Sequence, residues 1–408
     1  MRPDNRQALK ISDLTLETVI ILIFGLFMSL FGLLGFVIQA GTLPYNPDGA
    51  YGLVLVLISL QIITLGKSPF GTYRRSWSLI LLGIGIAAIG TIACFIPGLI
   101  GDGVRILVGI LMTAGGIALI LHLIGVRAGA WVRSPGILRH LAVACGLVYL
   151  MEILFGIVSL IPGIIPGYVT AVLCTAFGIS LFYLAWTLTR ITRRYPRKTP
   201  GSTLGTSGTP EDNDGFFLLR DATLPTQIAV IILLGVIFIL FSLLLIPVGL
   251  GIFPFSRDSQ FGLLMVIMAF QVLALGKTPL GVYERSLPLM LIGLAVVSLG
   301  IYSCIIPGLI TGWILLPLGI WNIIAGSTGL IRLTLPYLSR YRDPCNADHS
   351  PKKMRVNVAL LHLVTIFFGI NVVSTGLIPG IAVPVILFLL GLLFLLLAHT
   401  LLHLPALG

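Results

Sequence analysis

Charge is scarce in this sequence. Only 10% of its 408 residues are charged, 57% are hydrophobic, and the mean hydropathy is +1.09. A soluble globular domain carries about 25% charged residues, so the composition excludes a soluble protein of this length. The sequence therefore indicates an integral membrane protein, and it leaves no stretch to form a soluble catalytic domain.

Motifs for metal binding and catalysis are also missing. Five cysteines show no CxxC or other metal-ligand spacing, and four of them fall in apolar runs, where a thiol behaves as a small apolar group. They are Cys94, Cys145, Cys174, Cys304 and Cys345. No nucleophile elbow, carboxylate pair or H-E-x-x-H motif occurs. The sequence thus predicts no cofactor and gives no sign of an enzyme.

Long apolar runs are abundant. A hydrocarbon core about 30 Å thick needs roughly 20 apolar residues per helix. The runs lack the alternation of a barrel strand, so they predict helices. No small-residue cleavage site follows the first run, which we expect to remain as an anchor. The twelve predicted spans, of which the second and eighth are short, lie near 14–39, 50–66, 76–96, 103–125, 138–161, 166–189, 225–249, 261–276, 287–306, 313–333, 356–377 and 382–404.

Basic residues fall on one predicted side of the membrane. If the N-terminus is cytoplasmic, every Lys and Arg except Arg105 and Arg257 lies on the cytoplasmic side. This positive-inside bias accounts for the net charge of +11 without a nucleic-acid partner. It predicts a protein of the plasma (inner) membrane with both termini in the cytoplasm. Its partners would be the lipid bilayer and anionic lipid head groups on the cytoplasmic face.

The chain contains an internal duplication. LGKSPFGTYRRS at 65–76 recurs 210 positions later as LGKTPLGVYERS, and LFGIVSLIPGIIPG at 154–167 recurs 213 positions later as FFGINVVSTGLIPG. Each half holds six predicted spans, an even number, so both halves enter the membrane the same way up. The expected fold is all-α, with two parallel six-helix repeats related by a pseudo-two-fold along the membrane normal. The first repeat is 1–194, a flexible cytoplasmic linker is 195–219, and the second repeat is 220–408.

The repeated Gly-Lys-Ser/Thr stretch is not a phosphate-binding loop. Such a loop needs a glycine five residues earlier, where this chain has Gln61 and Gln271. The plainer interpretation is a loop that fixes topology, in which Lys67 and its counterpart offset the dipole at a helix C-terminus. The alternative is an anion-binding or gating role, because a tyrosine recurs that charge bias does not require. The predicted contacts with anionic head groups are Lys67, Tyr73, Arg75, Lys277, Tyr283 and Arg285.

Glu152 is the clearest ionisable residue inside a predicted span. An ionisable group at membrane depth is costly and suggests a functional site. Its counterpart in the second half is Thr365, and Tyr149, one turn earlier, corresponds to His362. We expect Glu152 and His362 to lie near the interface between the halves as a polar or proton-linked site. The alternative is that Glu152 only holds the bundle together through a hydrogen bond.

Other polar residues of the spans give weaker signals. Gln61 and Gln271 recur mid-helix in both halves, where bridging helices is favoured over binding a ligand. Two single-copy asparagines, Asn322 and Asn371, carry less weight, and His399 and His403 have the spacing of a metal pair without a second ligand set. The predicted intramembrane polar site comprises Glu152, His362, Tyr149, Thr365, Gln61 and Gln271.

Two family resemblances bear on function. The six-plus-six layout with repeated basic loops resembles the major facilitator superfamily, whose loop has an Asp where this chain has Phe70 and Leu280. The Gly-rich hairpins are similar to small acid-stress membrane proteins of bacteria, and neither resemblance carries residue roles over. The duplication favours a transporter or permease for a small, weakly polar or lipid-like solute, using the cleft between repeats. The scarcity of polar residues favours the alternative, a non-transporting scaffold, assembly subunit or stress-response membrane protein.

Overall fold

The chain folds into helices throughout the part that its computed structural model describes, which is residues 16–64, 77–131, 136–194, 226–274, 287–308, 311–339, 352–374 and 382–402. Within these ranges there are twelve helices and no strand, which confirms the all-helical prediction. The helices are α1 (Leu16–Gln39), α2 (Pro47–Thr64), α3 (Trp77–Phe95), α4 (Asp102–Trp131), α5 (Ile137–Leu160), α6 (Gly167–Arg194), α7 (Thr226–Gly249), α8 (Arg257–Ala274), α9 (Leu287–Ile305), α10 (Thr311–Ser339), α11 (Lys352–Val373) and α12 (Ala382–Leu402).

Most of the helices have the length and composition of membrane spans. Among the described residues, ten helices are long and apolar enough to cross a membrane. The helix α8, which begins with Arg257 and Asp258, is not one of them, and α9 contributes a shorter apolar segment, Met290–Ile305. The architecture is therefore that of a multi-pass membrane protein.

Six close helix pairs carry most of the packing. In the first half of the chain (α1–α6), α1 packs on α6, α2 on α3, and α4 on α5. In the second half (α7–α12), α7 packs on α12, α8 on α9, and α10 on α11. Further contacts between α5 and α6, and between α11 and α12, join neighbouring pairs within each half.

Each of these six pairs has a point of close approach with a glycine on both helices. A Cβ atom built on either glycine would lie between 2.5 and 3.2 Å from the carbonyl oxygen of the other. Side chains would keep the backbones further apart, so these contacts are the small-residue packing by which helices associate in membranes. The pairs are Gly25 with Gly178, Gly52 with Gly90, Gly109 with Gly156, Gly235 with Gly391, Gly262 with Gly300, and Gly319 with Gly369.

Tight turns gather at one end of the bundle, here called the Pro-Gly end, which comprises the connections 40–46, 96–101, 161–166, 250–256 and 306–308. Gly98 and Gly308 have φ angles of 81° and 86°, a left-handed conformation that strains any residue with a side chain. Their N–H groups donate to carboxylate oxygens of Asp48, at 2.6 Å, and Asp258, at 2.8 Å. A carboxylate in the first turn of α2 or α8 thus holds the turn that follows α3 or α9.

The two halves meet through their first three helices. Helices α1, α2 and α3 pack against α7, α8 and α9. The rings of Phe95 and Phe241 lie 4.4 Å apart between centroids, and both side chains are fully buried. One large hydrophobic core runs through both halves, which means that the interface between them is closed by apolar packing.

Candidate functional sites

The glycine-lined contact between the two helices of each close pair is called a glycine seam here. Glu152 lies at the rim of the seam between α4 and α5. A Cβ atom built on Gly115 of α4 would lie 3.3 Å from the Glu152 carboxylate oxygen Oε1. The side chain is half-buried, and among the described residues its carboxylate makes no hydrogen bond or ion pair. Glycine at position 115 leaves room for the carboxylate beside α4. The structure therefore places a half-buried carboxyl group, with no hydrogen bond or ion pair from the described residues, about two-thirds along an apolar helix.

His362 lies at the corresponding seam of the second half, between α10 and α11. Its imidazole ring covers Gly329 of α10, with ring atom Nδ1 2.5 Å from where a Cβ of that glycine would be. The prediction that Glu152 and His362 meet at the interface between the halves is wrong. Helix α5 packs mainly on α4 and α6, and α11 on α10 and α12, whereas the halves meet through α1–α3 and α7–α9. The equivalent faces of α5 and α11 lie in separate seams, because each face packs on the partner helix of its own half.

Tyr149 and Thr365 have local partners. Tyr149 is buried and interacts electrostatically with the thiol of Cys145, one turn earlier on α5. The Thr365 hydroxyl donates to the carbonyl oxygen of Leu361 at 2.8 Å. The residue that corresponds to Glu152 in the second half is thus satisfied within its own helix, and Glu152 is not.

The predicted glutamine pair stands near helix ends rather than in mid-helix. Gln61 is half-buried in the last turn of α2, because the helix ends at Thr64. The side chain of Gln271 lies outside the described residues. Asn322 is buried and donates to the carbonyl oxygen of Leu318 at 2.9 Å and to the Met268 sulfur of α8 at 3.7 Å, so it bridges two helices within the second half. Asn371 is half-buried near the end of α11.

The remaining predicted residues give no assembled site. His399 is exposed on α12, and His403 lies beyond the described ranges. Within those ranges no group of three or more His, Cys, Asp or Glu side chains is placed to hold a metal ion. The six predicted head-group contacts, Lys67, Tyr73, Arg75, Lys277, Tyr283 and Arg285, all fall outside the part of the chain that the structure describes.

A shallow cleft opens at the Pro-Gly end, on the junction of the halves. It has a volume of about 680 Å³ and is lined by Tyr45, Asn46, Pro97, Phe255, Ser256, Arg257, Asp258, Pro307 and Gly308. Sequence reasoning missed it, because its residues come from four connections and the start of α8, which are far apart in the chain. The only signal was the repetition of the Pro-Gly turns in both halves.

Reciprocal backbone hydrogen bonds cross between the halves beside this cleft. The N–H of Asn46 donates to the carbonyl of Ile305 at 2.9 Å, and the N–H of Ser256 donates to the carbonyl of Phe95 at 3.0 Å. The Asn46 side chain also donates to the Ser259 hydroxyl at 2.8 Å. The entrance of α2 is thereby tied to the end of α9, and the entrance of α8 to the end of α3.

Comparison with known proteins gives no relative: no family model matches the chain, and neither a curated protein nor a solved structure shows significant similarity to it.

Proposed function

We propose that the chain is a twelve-span membrane protein made of two parallel six-helix repeats. The glycine seams support this organisation, because Gly25, Gly52 and Gly109 are each followed 210 positions later by the seam glycine of the corresponding helix pair. The reciprocal bonds support it too, since Asn46 and Ser256 stand 210 positions apart, as do Phe95 and Ile305. A pseudo-two-fold axis between the halves relates each bond to the other.

The proposed orientation puts the Pro-Gly end outside and both termini in the cytoplasm. Tyr183, Trp186 and Arg190 form a ladder toward the opposite end of α6: the first two rings stack 6.0 Å apart, and the guanidinium lies 4.2 Å above the Trp186 ring. Tyr and Trp concentrate at membrane interfaces, and Arg at the cytoplasmic one. This ladder supports a cytoplasmic boundary there, with anionic lipid head groups as neighbours.

The function that the geometry supports best is that of an assembly subunit, which associates laterally with another membrane-spanning helix. Glu152 carries this proposal. A carboxyl group open to hydrocarbon is costly and is normally paired or turned inward. Here it is half-buried, and the described residues of its own chain offer it neither a hydrogen bond nor an ion pair. A partner helix with a hydrogen-bond donor would satisfy it and cover the rim of the α4–α5 seam.

The closed interface between the halves also favours assembly over passage of a solute. Phe95, Phe241, Cys94 and Cys304 there are fully buried. Glu152, the most costly polar group, lies on a different pair of helices. The geometry thus favours a bundle with an apolar, closed interior whose Glu152 carboxyl is available to a neighbouring helix in the membrane.

Site-specific photocrosslinking tests the assembly proposal. A benzoylphenylalanine is placed at Ala118, which is exposed one turn from Gly115 on α4, or at the matched position Thr328 on α10. We expect a crosslink to a membrane protein from position 118 that is lost with Glu152→Leu, kept with Glu152→Gln, and absent from position 328. A crosslink that ignores the Glu152 substitutions, or lipid adducts alone at both positions, would contradict the proposal.

A second candidate is a transporter for a small, weakly polar solute. The cleft of about 680 Å³ favours this candidate. The cleft lies between the halves, where a solute pathway that opens by movement of the two halves would begin. In that case the buried residues below the cleft would form a gate, which would open when the two halves rotate relative to each other.

Thiol labelling separates the two candidates. Single cysteines replace Ala87 or Val297, which are fully buried at matched positions of α3 and α9, in a chain without its native cysteines. Leu99→Cys, exposed at the Pro-Gly end, is the accessible control. Reaction of either buried position with a membrane-impermeant maleimide would support transport. Resistance of both positions from both membrane faces, with a reactive control, would favour the assembly subunit.

A further inference from the structure

Cys94 and Cys304 are brought together at the junction of the two halves. Both side chains are fully buried, and the two thiols are close enough to interact electrostatically. The two residues stand 210 positions apart, at the same place in α3 and α9. Their sequence spacing gave no hint of a pair.

The surrounding backbone fixes this proximity independently. The Cys94 Sγ atom lies 3.5 Å from the carbonyl oxygen of Gly49, and a Cβ atom on Gly49 would lie 2.3 Å from the carbonyl oxygen of Cys304. Gly49 therefore contacts both cysteines, which places them next to each other. The neighbours of both cysteines, Phe95 and Ile305, make the reciprocal hydrogen bonds between the halves.

Each thiol is held by the helix next to its own. The Cys94 thiol donates to Gly49 at the start of α2, and the Cys304 thiol donates to the carbonyl of Ser259 at 3.4 Å, at the start of α8. Gly52 and Gly262 leave space for the sulfurs, since a Cβ on these glycines would lie 2.8 and 2.6 Å from Cys94 Sγ and Cys304 Sγ. The two sulfurs are thus fixed near the contact between halves by matching arrangements.

We propose that Cys94 and Cys304 form a disulfide that covalently joins the two halves when the protein meets a thiol oxidant. The pair lies three residues before Pro97 and Pro307, which line the cleft, so a small oxidant approaches through the Pro-Gly end. The charge distribution predicts that this end faces outward, where disulfides persist. The inference is independent of the assembly proposal.

The reaction is a two-electron oxidation. The two thiols lose two protons and two electrons, and one S–S bond of about 2.05 Å forms between the sulfurs. With diamide as the oxidant, the N=N bond accepts both electrons and both protons and becomes a hydrazide. A reductant such as dithiothreitol reverses the reaction by thiol–disulfide exchange.

The test uses the full chain with a protease site inserted in the linker at 195–219. Cys145, Cys174 and Cys345 are replaced by alanine, membranes are treated with diamide, free thiols are blocked with N-ethylmaleimide, and the linker is cut. We expect the two halves to migrate as one species near the mass of the whole chain without reductant, and as two half-length species with it.

Matched variants exclude an incidental link. Cys94→Ser and Cys304→Ser should each abolish the joined species. A chain that carries both Cys94→Ala and Ala93→Cys has its thiol one residue earlier on α3, and its halves should also stay separate. If diamide and iodine both leave the halves separate, with both thiols still reactive toward maleimide after denaturation, the proposal is overturned. A joined species that persists in the Ala93→Cys chain would equally overturn it, because the specific apposition would then not matter.

Discussion

The Asp48 carboxylate binds the backbone N–H of Gly98 at 2.6 Å, across the turn that joins α3 to α4, and Asp258 repeats this contact with Gly308 at 2.8 Å. An acceptor at the start of one helix thus closes the turn after its partner helix. The contact explains why an acidic residue recurs 210 positions later in a chain with only 14 acidic residues.

Loss of this acceptor should destabilise the hairpin. We expect Asp48→Ala to lower the free energy of unfolding by about 1 to 2 kcal/mol, as for a lost helix cap, with Asp48→Asn in between because an amide oxygen still accepts. Unfolding by SDS in mixed micelles gives the measurement. Asp102→Ala is the control, since Asp102 is exposed and its one partner among the described residues is the nearby Arg105, and it should change stability little. Equal effects of Asp48→Ala and Asp102→Ala would refute the role of the turn contact.

The glycine seams should not tolerate alanine. At Gly90 a Cβ atom would lie 2.5 Å from the carbonyl of Gly52, so Gly90→Ala must push α2 and α3 apart, at a cost of about 1 to 3 kcal/mol. Gly85 on the same helix has no atom within 4 Å of its Cβ position, so Gly85→Ala should be neutral or stabilising. Thermal unfolding followed by size-exclusion chromatography compares them. The seam would be disproved if both variants melted alike.

Glu152 should react with a carbodiimide that partitions into lipid. Its carboxyl is half-buried at the rim of the α4–α5 seam and has no ion pair among the described residues. We expect dicyclohexylcarbodiimide to modify Glu152, as detected by peptide mass spectrometry, and a water-soluble carbodiimide to leave it unmodified. Glu152→Gln should remove the modified peptide. Modification by the water-soluble reagent alone would show that water, rather than lipid or a partner helix, reaches this carboxyl.

The contact between Phe95 and Phe241 should couple the stabilities of the two halves. Each Phe→Ala change should cost about 2 kcal/mol, less than in a soluble core, because packing contacts are lost but no side chain returns to water. A double-mutant cycle should give a coupling of about 0.5 to 1.5 kcal/mol for rings this close. Leu81→Ala, at an exposed position of α3, should show no coupling to Phe241→Ala. Strict additivity of the Phe95 and Phe241 changes would contradict a direct contact between them.

The sequence predicted the positions of the helices well, but it did not predict which side of each helix meets a neighbour. Each predicted span overlaps one helix, because a run of apolar residues bounded by charge, Pro or Gly can only be satisfied as a helix in a membrane. Helices such as α3 and α5 are apolar on every side, so no hydrophobic stripe marks the face that meets a neighbour. For this reason the prediction for Glu152 and His362 failed, and the proximity of Cys94 to Cys304 was not foreseen.

By itself, the sequence determined that this is a multi-pass helical membrane protein, because composition and the length of apolar runs are properties of the chain alone. It also contained the duplicated segments from which two repeats are proposed. Only the tertiary structure decided which residues meet: the six glycine seams, the Glu152 carboxyl beside Gly115, and the two cysteines that contact Gly49. These contacts depend on the rotation of each helix about its axis. Close packing between helix backbones sets that rotation, and the hydropathy of the sequence does not predict it.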